Sequence, residues 1–170
     1  QGSILGPLLF KIFINDFGFN LNSESYLFAD DSSILKQFAP SLINTAITEV
    51  NDDLEKILLW ANSWRILFNT VKTEFMIFSS NGVYPKNISI TFGSDFIGPS
   101  AKHTHLGMLL TPDLKWSSHI DGIVTACSKQ LGLLKRQSGN LSFSQRCTIY
   151  LSIIRPKIEY GSVLYDSCAM

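Results

Sequence analysis

"SESYLFADDSSILK", Ser23 to Lys36, is the stretch on which the reading of the fold turns. Tyr26, Leu27 and Phe28 run up to two adjacent carboxylates, Asp30 and Asp31, and Ile34 and Leu35 resume the apolar pattern beyond them. Like charges side by side repel, and burying either one without a partner is costly. Two short strands about a turn at the aspartates remove the conflict, because a hairpin tip carries both side chains out of the core. Neighbours on a strand point to opposite faces, so a tight turn is also what lets both acids approach one site. Hard carboxylate oxygens there suit a divalent cation; equally, aspartate is common in an ordinary surface turn.

Upstream, "GPLLFKIFINDF" opens with Gly6 and Pro7, and Pro at a first helical position forfeits only an orphan donor. The residues after it are apolar nearly all round, which predicts a buried helix. Downstream, Leu42 to Trp64 predicts a long amphipathic helix. Ile43, Ala46, Ile47, Val50, Leu54, Ile57, Leu58 and Ala61 form its stripe; Glu49, Asp52, Asp53, Glu55 and Lys56 fall largely off it. "RILFN" and "TEFMIFS" read as strands joined by "NTVK", "ISITF" as a half-buried strand, and "HTHLGMLL" as another, with Gly107 marking a bulge or a close backbone approach.

After Pro112 the chain turns helical. Ile120, Ile123, Val124, Cys127, Leu131 and Leu134 share a face, and Lys135 and Arg136 sit at the negative end of that helix, which Gly139 closes. Ser142 and Gln145 fit a capping box for the next helix, with Phe143, Cys147, Tyr150 and Ile154 inward, and Pro156 ends or kinks it. The fold class expected is α+β: residues 1–111 a partial mixed sheet with flanking helices, residues 112–170 a helical region.

Length and composition set the frame. The 170 residues fit one domain or two small ones, and 45% apolar residues suffice for a core. Only 16% are charged, against roughly 25% in ordinary soluble domains, which fits a piece whose apolar face meets a partner and is also compatible with an ordinary compact domain. A first residue of Gln rather than Met points the same way. Net charge is zero but uneven. Residues 1–60 hold eight acids and three bases, whereas residues 122–158 hold six bases (Lys129, Lys135, Arg136, Arg146, Arg155, Lys157) and no acid. That asymmetry suits a nucleic-acid face or a solvated helix surface. Cys127, Cys147 and Cys168 have no metal-ligand spacing and read as buried thiols in a reducing compartment. His103 and His105, two apart, lack a third ligand and read as surface or packing histidines. No stretch reads as a signal peptide or a membrane span.

Five motifs occur in order: "QGSILGPLLF", "YLFADDSSI", "NTVKTEFMIF", "HLGMLLTPDLKW" and "IRPKIEYGSVLY". Together they resemble the reverse transcriptases of non-LTR, LINE-like retrotransposons of the jockey kind, from Gln1 to Tyr165. The resemblance implies the C-terminal palm and thumb of an RNA-directed DNA polymerase, with RNA template, DNA primer and deoxynucleoside triphosphates as partners. No membrane is implied, and the setting is intracellular, nucleus and cytoplasm. It implies that Asp30 and Asp31 hold magnesium, two ions in the complete enzyme, with Asp30 the principal ligand. Phe28 and Ala29 would lie near the primer terminus. Gln1, Gly2 and Ser3 match the segment touching template and incoming nucleotide, Lys72 the lysine that protonates departing pyrophosphate, and Leu106-Gly107 the primer-grip hairpin. The basic residues Lys129 to Lys157 would follow the nucleic-acid backbone.

Two departures accompany the match. The family's first palm motif, with another essential aspartate, and its fingers lie upstream of the "QGS" motif, and the chain begins after them. Tyr165 stands where the family more often has tryptophan. The expectation is therefore an inactive fragment of a two-metal nucleotidyltransferase. The alternatives are a catalytically dead nucleic-acid-binding remnant and a domesticated partner-binding domain.

Overall fold

The computed structural model describes residues 3–80 and 83–165. The chain divides into two compact units, Gln1–Phe75 with Lys86–Pro99, and Met76–Pro85 with Ser100–Met170.

In the first unit, helix α1 (Leu5–Phe13) leads through a run of turns to strands β1 (Glu24–Phe28) and β2 (Asp31–Leu35). These pair antiparallel from Glu24 with Leu35 to Phe28 with Asp31. Helix α2 (Ile43–Trp64) follows as the stripe predicts, and a hairpin of β3 (Ile90–Phe92) and β4 (Asp95–Ile97) completes the unit. Ile90 and Phe92 alternate inward onto Leu54, Ile57 and Phe17, and these five form the buried core. Asn51 of α2 accepts the Thr91 amide at 2.9 Å through Oδ1, so a helix side chain satisfies a donor on the outer edge of β3.

Three expectations fail here. Helix α1 is exposed rather than buried: it has no buried residue, and Leu5, Leu8, Leu9 and Ile12 all face solvent. It is anchored at its C-terminal end, where Phe13 meets Trp64 edge-on at 5.0 Å. "RILFN" and "TEFMIFS" do not pair as strands. Arg65 caps α2 with a left-handed backbone (φ 57°), Thr70–Lys72 forms a 3-10 turn, and only Phe75 bridges, to Pro99. Nor is there a single mixed sheet: among the described residues the strands form three separate two-stranded antiparallel ribbons. The α+β class stands.

The second unit holds the third ribbon, β5 (His103–His105) with β6 (Met108–Leu110), and helices α3 (Ser117–Gln137), α4 (Phe143–Ile149), α5 (Arg155–Glu159) and α6 (Ser162–Tyr165). The units therefore do not divide at residue 111. The ribbon 103–110 belongs with the helices because they supply its missing partners. His119 Nδ1 of α3 accepts the Leu109 amide at 3.2 Å, and Tyr160 Oη donates to the Leu106 carbonyl at 2.6 Å. Leu106 (φ 47°) and Gly107 (φ 79°) form the primed turn that suits a two-residue hairpin.

The capping box is present in both directions: Gln145 Oε1 accepts the Ser142 amide at 2.8 Å, and Ser142 Oγ accepts the Gln145 amide at 3.3 Å. Between α4 and α5, Tyr150–Ile154 widens into a π-helical turn. Pro156 explains it: a proline lacks its own N–H and crowds the carbonyl four residues back, here Ser152, and the wider turn accommodates both defects. Ile154, 1% exposed, fixes this turn inside the unit, whereas Phe143, expected inward, is 75% exposed. Cys127 is buried, Cys147 is half-buried, and both are free thiols. No described helix is long and apolar enough to cross a membrane.

Candidate active site

The acidic pair sits where hairpin geometry puts it. Phe28 and Asp31 close the ribbon, so Ala29 and Asp30 are the whole loop. A two-residue loop needs positive φ at its first position, and Ala29 has φ 52°. For a residue with a Cβ that conformation costs about 1 kcal/mol, a strain of the kind kept at functional sites. Asp30 and Asp31 are both exposed, and neither side chain has a hydrogen bond or an ion pair. Phe28, opposite Asp31 in the ladder, shares its face and is 62% exposed. The tip thus presents two unneutralised carboxylates beside an exposed aromatic ring.

The base of the hairpin is held by a residue the sequence reading put on the wrong side. Asp53 of α2 is fully buried, at 0% exposure. Its Oδ1 accepts the Asn22 amide at 2.8 Å, and its Oδ2 accepts the Ser23 amide at 2.8 Å. Asn22 Nδ2 and Lys56 Nζ each donate to Oδ1 at 3.2 Å. Burial pushes this carboxyl up, but the hydrogen bonds from Asn22, Ser23 and Lys56 outweigh it and leave it below the usual aspartate range. The signal was present in the spacing. Asp53 lies three residues after Val50 and four before Ile57, so it shares their face. Lys56 Nζ also donates to the Asn20 carbonyl at 3.0 Å, and Lys36 Nζ, ion-paired with Glu49, donates to the Asn22 carbonyl at 3.2 Å. Gly18 closes the bracket, for a Cβ there would stand 2.1 Å from Ser25 Oγ.

The other expected site residues are distributed. Lys72 ends the Thr70–Lys72 turn in the same unit, exposed, with Asn69 Oδ1 accepting its amide at 3.2 Å. Ser3 is exposed, and its Oγ accepts the Leu5 amide at 3.2 Å at the head of α1. Gln1 and Gly2 lie outside the described residues, as does Cys168. Of the six bases, Lys129, Lys135, Arg136, Arg155 and Lys157 are exposed and Arg146 is half-buried. Arg155 is partly neutralised: its Nε donates to Glu159 Oε1 at 2.6 Å, which raises its pKa. Lys157 lines a cavity of about 340 Å³ with Gly107, His119, Ile123, Pro156 and Tyr160, which brings one of the basic residues beside the 106–107 turn. His103 and His105 place their rings 6.0 Å apart, and among the described residues no three metal-ligating side chains cluster.

Comparison with known proteins supplies the context for this geometry. The chain is 26% identical, over 99% of its length, to the RNA-directed DNA polymerase from mobile element jockey of Drosophila melanogaster. It is 30% identical, over 97% of its length, to the probable RNA-directed DNA polymerase from transposon X-element of the same fly. It is 22% identical, over 99%, to the corresponding probable polymerase from transposon BS. The chain is similar, nearly end to end, to a region of the RNA-directed DNA polymerases of mobile elements and transposons. It spans about a fifth of the length of these curated relatives. No protein-family model matches it. No solved structure matches it either.

The tyrosine at 165 has a structural role of its own. Its hydroxyl donates to the carbonyls of Ile158 at 2.6 Å and Tyr160 at 3.2 Å, and its ring meets His119 edge-on at 5.7 Å.

Proposed function

We propose that this chain is the palm-and-thumb portion of a reverse transcriptase, the RNA-directed DNA polymerase of a non-LTR retrotransposon. The observation that carries the reading is the unpartnered, exposed Asp30–Asp31 pair on a strained two-residue turn, within a chain similar over its length to such polymerases. The donors fit magnesium by chemistry, since both are hard carboxylates with no competing cation. They number two, and no third joins them among the described residues. Asp30 and Asp31 would therefore form part of a magnesium site.

Bound magnesium would supply polarisation of the primer 3′-hydroxyl and neutralisation of the leaving pyrophosphate. Asp30 and Asp31 hold the site's charge at the tip, where no core residue competes for it. Phe28, exposed on the same face, offers a ring against which the terminal nucleotide can stack. Lys72 Nζ donates a proton to the departing pyrophosphate. Lys129, Lys135, Arg136 and Lys157 hold RNA–DNA duplex by its phosphates, without regard to sequence.

With two carboxylates, the chain by itself does not extend a primer. Two cations repel strongly at the short separation that in-line transfer needs, and further carboxylates must hold them there. The test pairs primer extension with Mn2+ binding, for the chain alone and joined to the upstream region of a full-length polymerase. Extension only in the joined protein, lost with Asp30→Ala, is expected. Robust extension by the chain alone would refute the partial-site reading, and activity surviving Asp30→Ala would refute the role of the pair.

A further inference from the structure

We propose that Asp53 is a positioning residue for the acidic hairpin: its buried carboxylate, clasping the Asn22 and Ser23 amides, sets the direction in which β1 leaves α2 and hence where Asp30 and Asp31 stand. This deepens the reading of Asp30 and Asp31 as magnesium ligands and rests on it.

Four contacts converge on one short piece of backbone. Asp53 takes both amides at 2.8 Å, Lys56 bridges the same carboxylate and the Asn20 carbonyl, and Lys36 holds the Asn22 carbonyl while paired with Glu49. Gly18 packs so closely on Ser25 that a Cβ there would force the Ser25 hydroxyl to move. Beyond that bracket, and beyond Ile34, which packs on the core opposite Ser25 near the base, the hairpin is exposed along most of β1 and at its tip, and among the described residues β1 and β2 pair only with each other. Its direction is therefore set at the base.

The leverage is considerable. Strand β1, five residues long, extends roughly 17 Å at about 3.4 Å per residue. Play of about 5° at the base moves the tip by roughly 1.5 Å, several times the ~0.5 Å tolerance of a working constellation. A carboxylate suits the task better than a neutral side chain, because each oxygen takes a separate amide through a charge-assisted bond. A pair of adjacent N–H groups has one orientation that satisfies both.

The test uses the full chain with Asp53→Asn, which keeps the size and loses the charge, and Asp53→Glu, which keeps the charge and lengthens the arm. Amide hydrogen exchange is read separately in β1–β2 and β3–β4, and Mn2+ affinity is measured by electron paramagnetic resonance. The expected result is exchange at least tenfold faster in β1–β2 with β3–β4 unchanged, and Mn2+ affinity at least fivefold weaker. Wild-type exchange in β1–β2 in a folded variant overturns the proposal. So does collapse of the whole fold in both variants, which would make Asp53 a general structural residue. Asp30→Ala separates the two readings: if it leaves Mn2+ binding untouched, the metal reading fails, while the exchange data still decide whether Asp53 sets the hairpin.

Discussion

Replacing Gly107 by alanine is the sharpest test of how the ribbon 103–110 is fixed. At φ +79° the backbone of Gly107 is one that a residue with a Cβ enters at a cost of about 1–2 kcal/mol. The added Cβ would also stand 3.3 Å from Tyr160 Cε1 and 3.8 Å from its hydroxyl. Tyr160 is half-exposed, so its ring can retreat, but retreat breaks the 2.6 Å bond to the Leu106 carbonyl, worth about 1 kcal/mol. Stiffening of the unfolded chain returns roughly 0.4–1 kcal/mol. The expected net loss is about 2 kcal/mol, roughly a 30-fold shift in the unfolding equilibrium. Urea unfolding followed by circular dichroism measures it, with an unchanged m-value confirming that stability alone has moved. Tyr160→Phe should cost about 1 kcal/mol alone and almost nothing more in the Gly107→Ala background, because the bond is already lost there. A loss below about 0.5 kcal/mol, or full additivity of the two changes, would refute the account.

Three further outcomes are expected. Because Asp53 is depressed in the folded state, its stabilisation is complete above the ordinary aspartate range and is lost as pH falls through the lowered value; Asp53→Asn should flatten that acid limb of the stability curve. Ser142→Ala should cost about 1 kcal/mol by opening the capping box, read as a lowered midpoint in the same urea experiment. Neutralising Lys129, Lys135 and Lys157 together should reduce the slope of log affinity against log salt for RNA–DNA duplex by roughly two to three, whereas Arg155, already paired with Glu159, should contribute less when neutralised alone.

How much of this could be read from residues alone follows from the range of the forces involved. The acidic hairpin, α2 and the capping box are local, and each was legible: a turn between apolar runs, a period near 3.6, a serine three residues before a glutamine. Asp53 was misread because a charged residue in a helix is ordinarily given to solvent, and only tertiary contact brings the two amides that justify burying it. Helix α1 failed in the opposite sense, since an all-round apolar pattern states what a helix can bury but not what packs against it. "TEFMIFS" has strand composition but finds no ladder partner beyond one bridge. The two turns form an instructive pair: both put a residue with a Cβ at positive φ in the first loop position, Ala29 and Leu106, and only "HLGM" follows it with a glycine, Gly107, that signals the turn.

The π-helical turn at Tyr150–Ile154 also changes how the basic residues are phased. Arg146 and Lys157 are eleven residues apart, and eleven steps of about 100° bring an unbroken α-helix back almost to its starting azimuth. A helical wheel drawn through "RCTIYLSIIRPK" would put both cations on one line. The wide turn interpolates about one residue, setting everything after it back by about a quarter-turn, so Arg146 and Lys157 look out in different directions. The turn that accommodates Pro156 therefore acts as a phase shifter along a single rod. Deleting one residue within 150–154 would bring the two cations back into line without altering the composition of either helix.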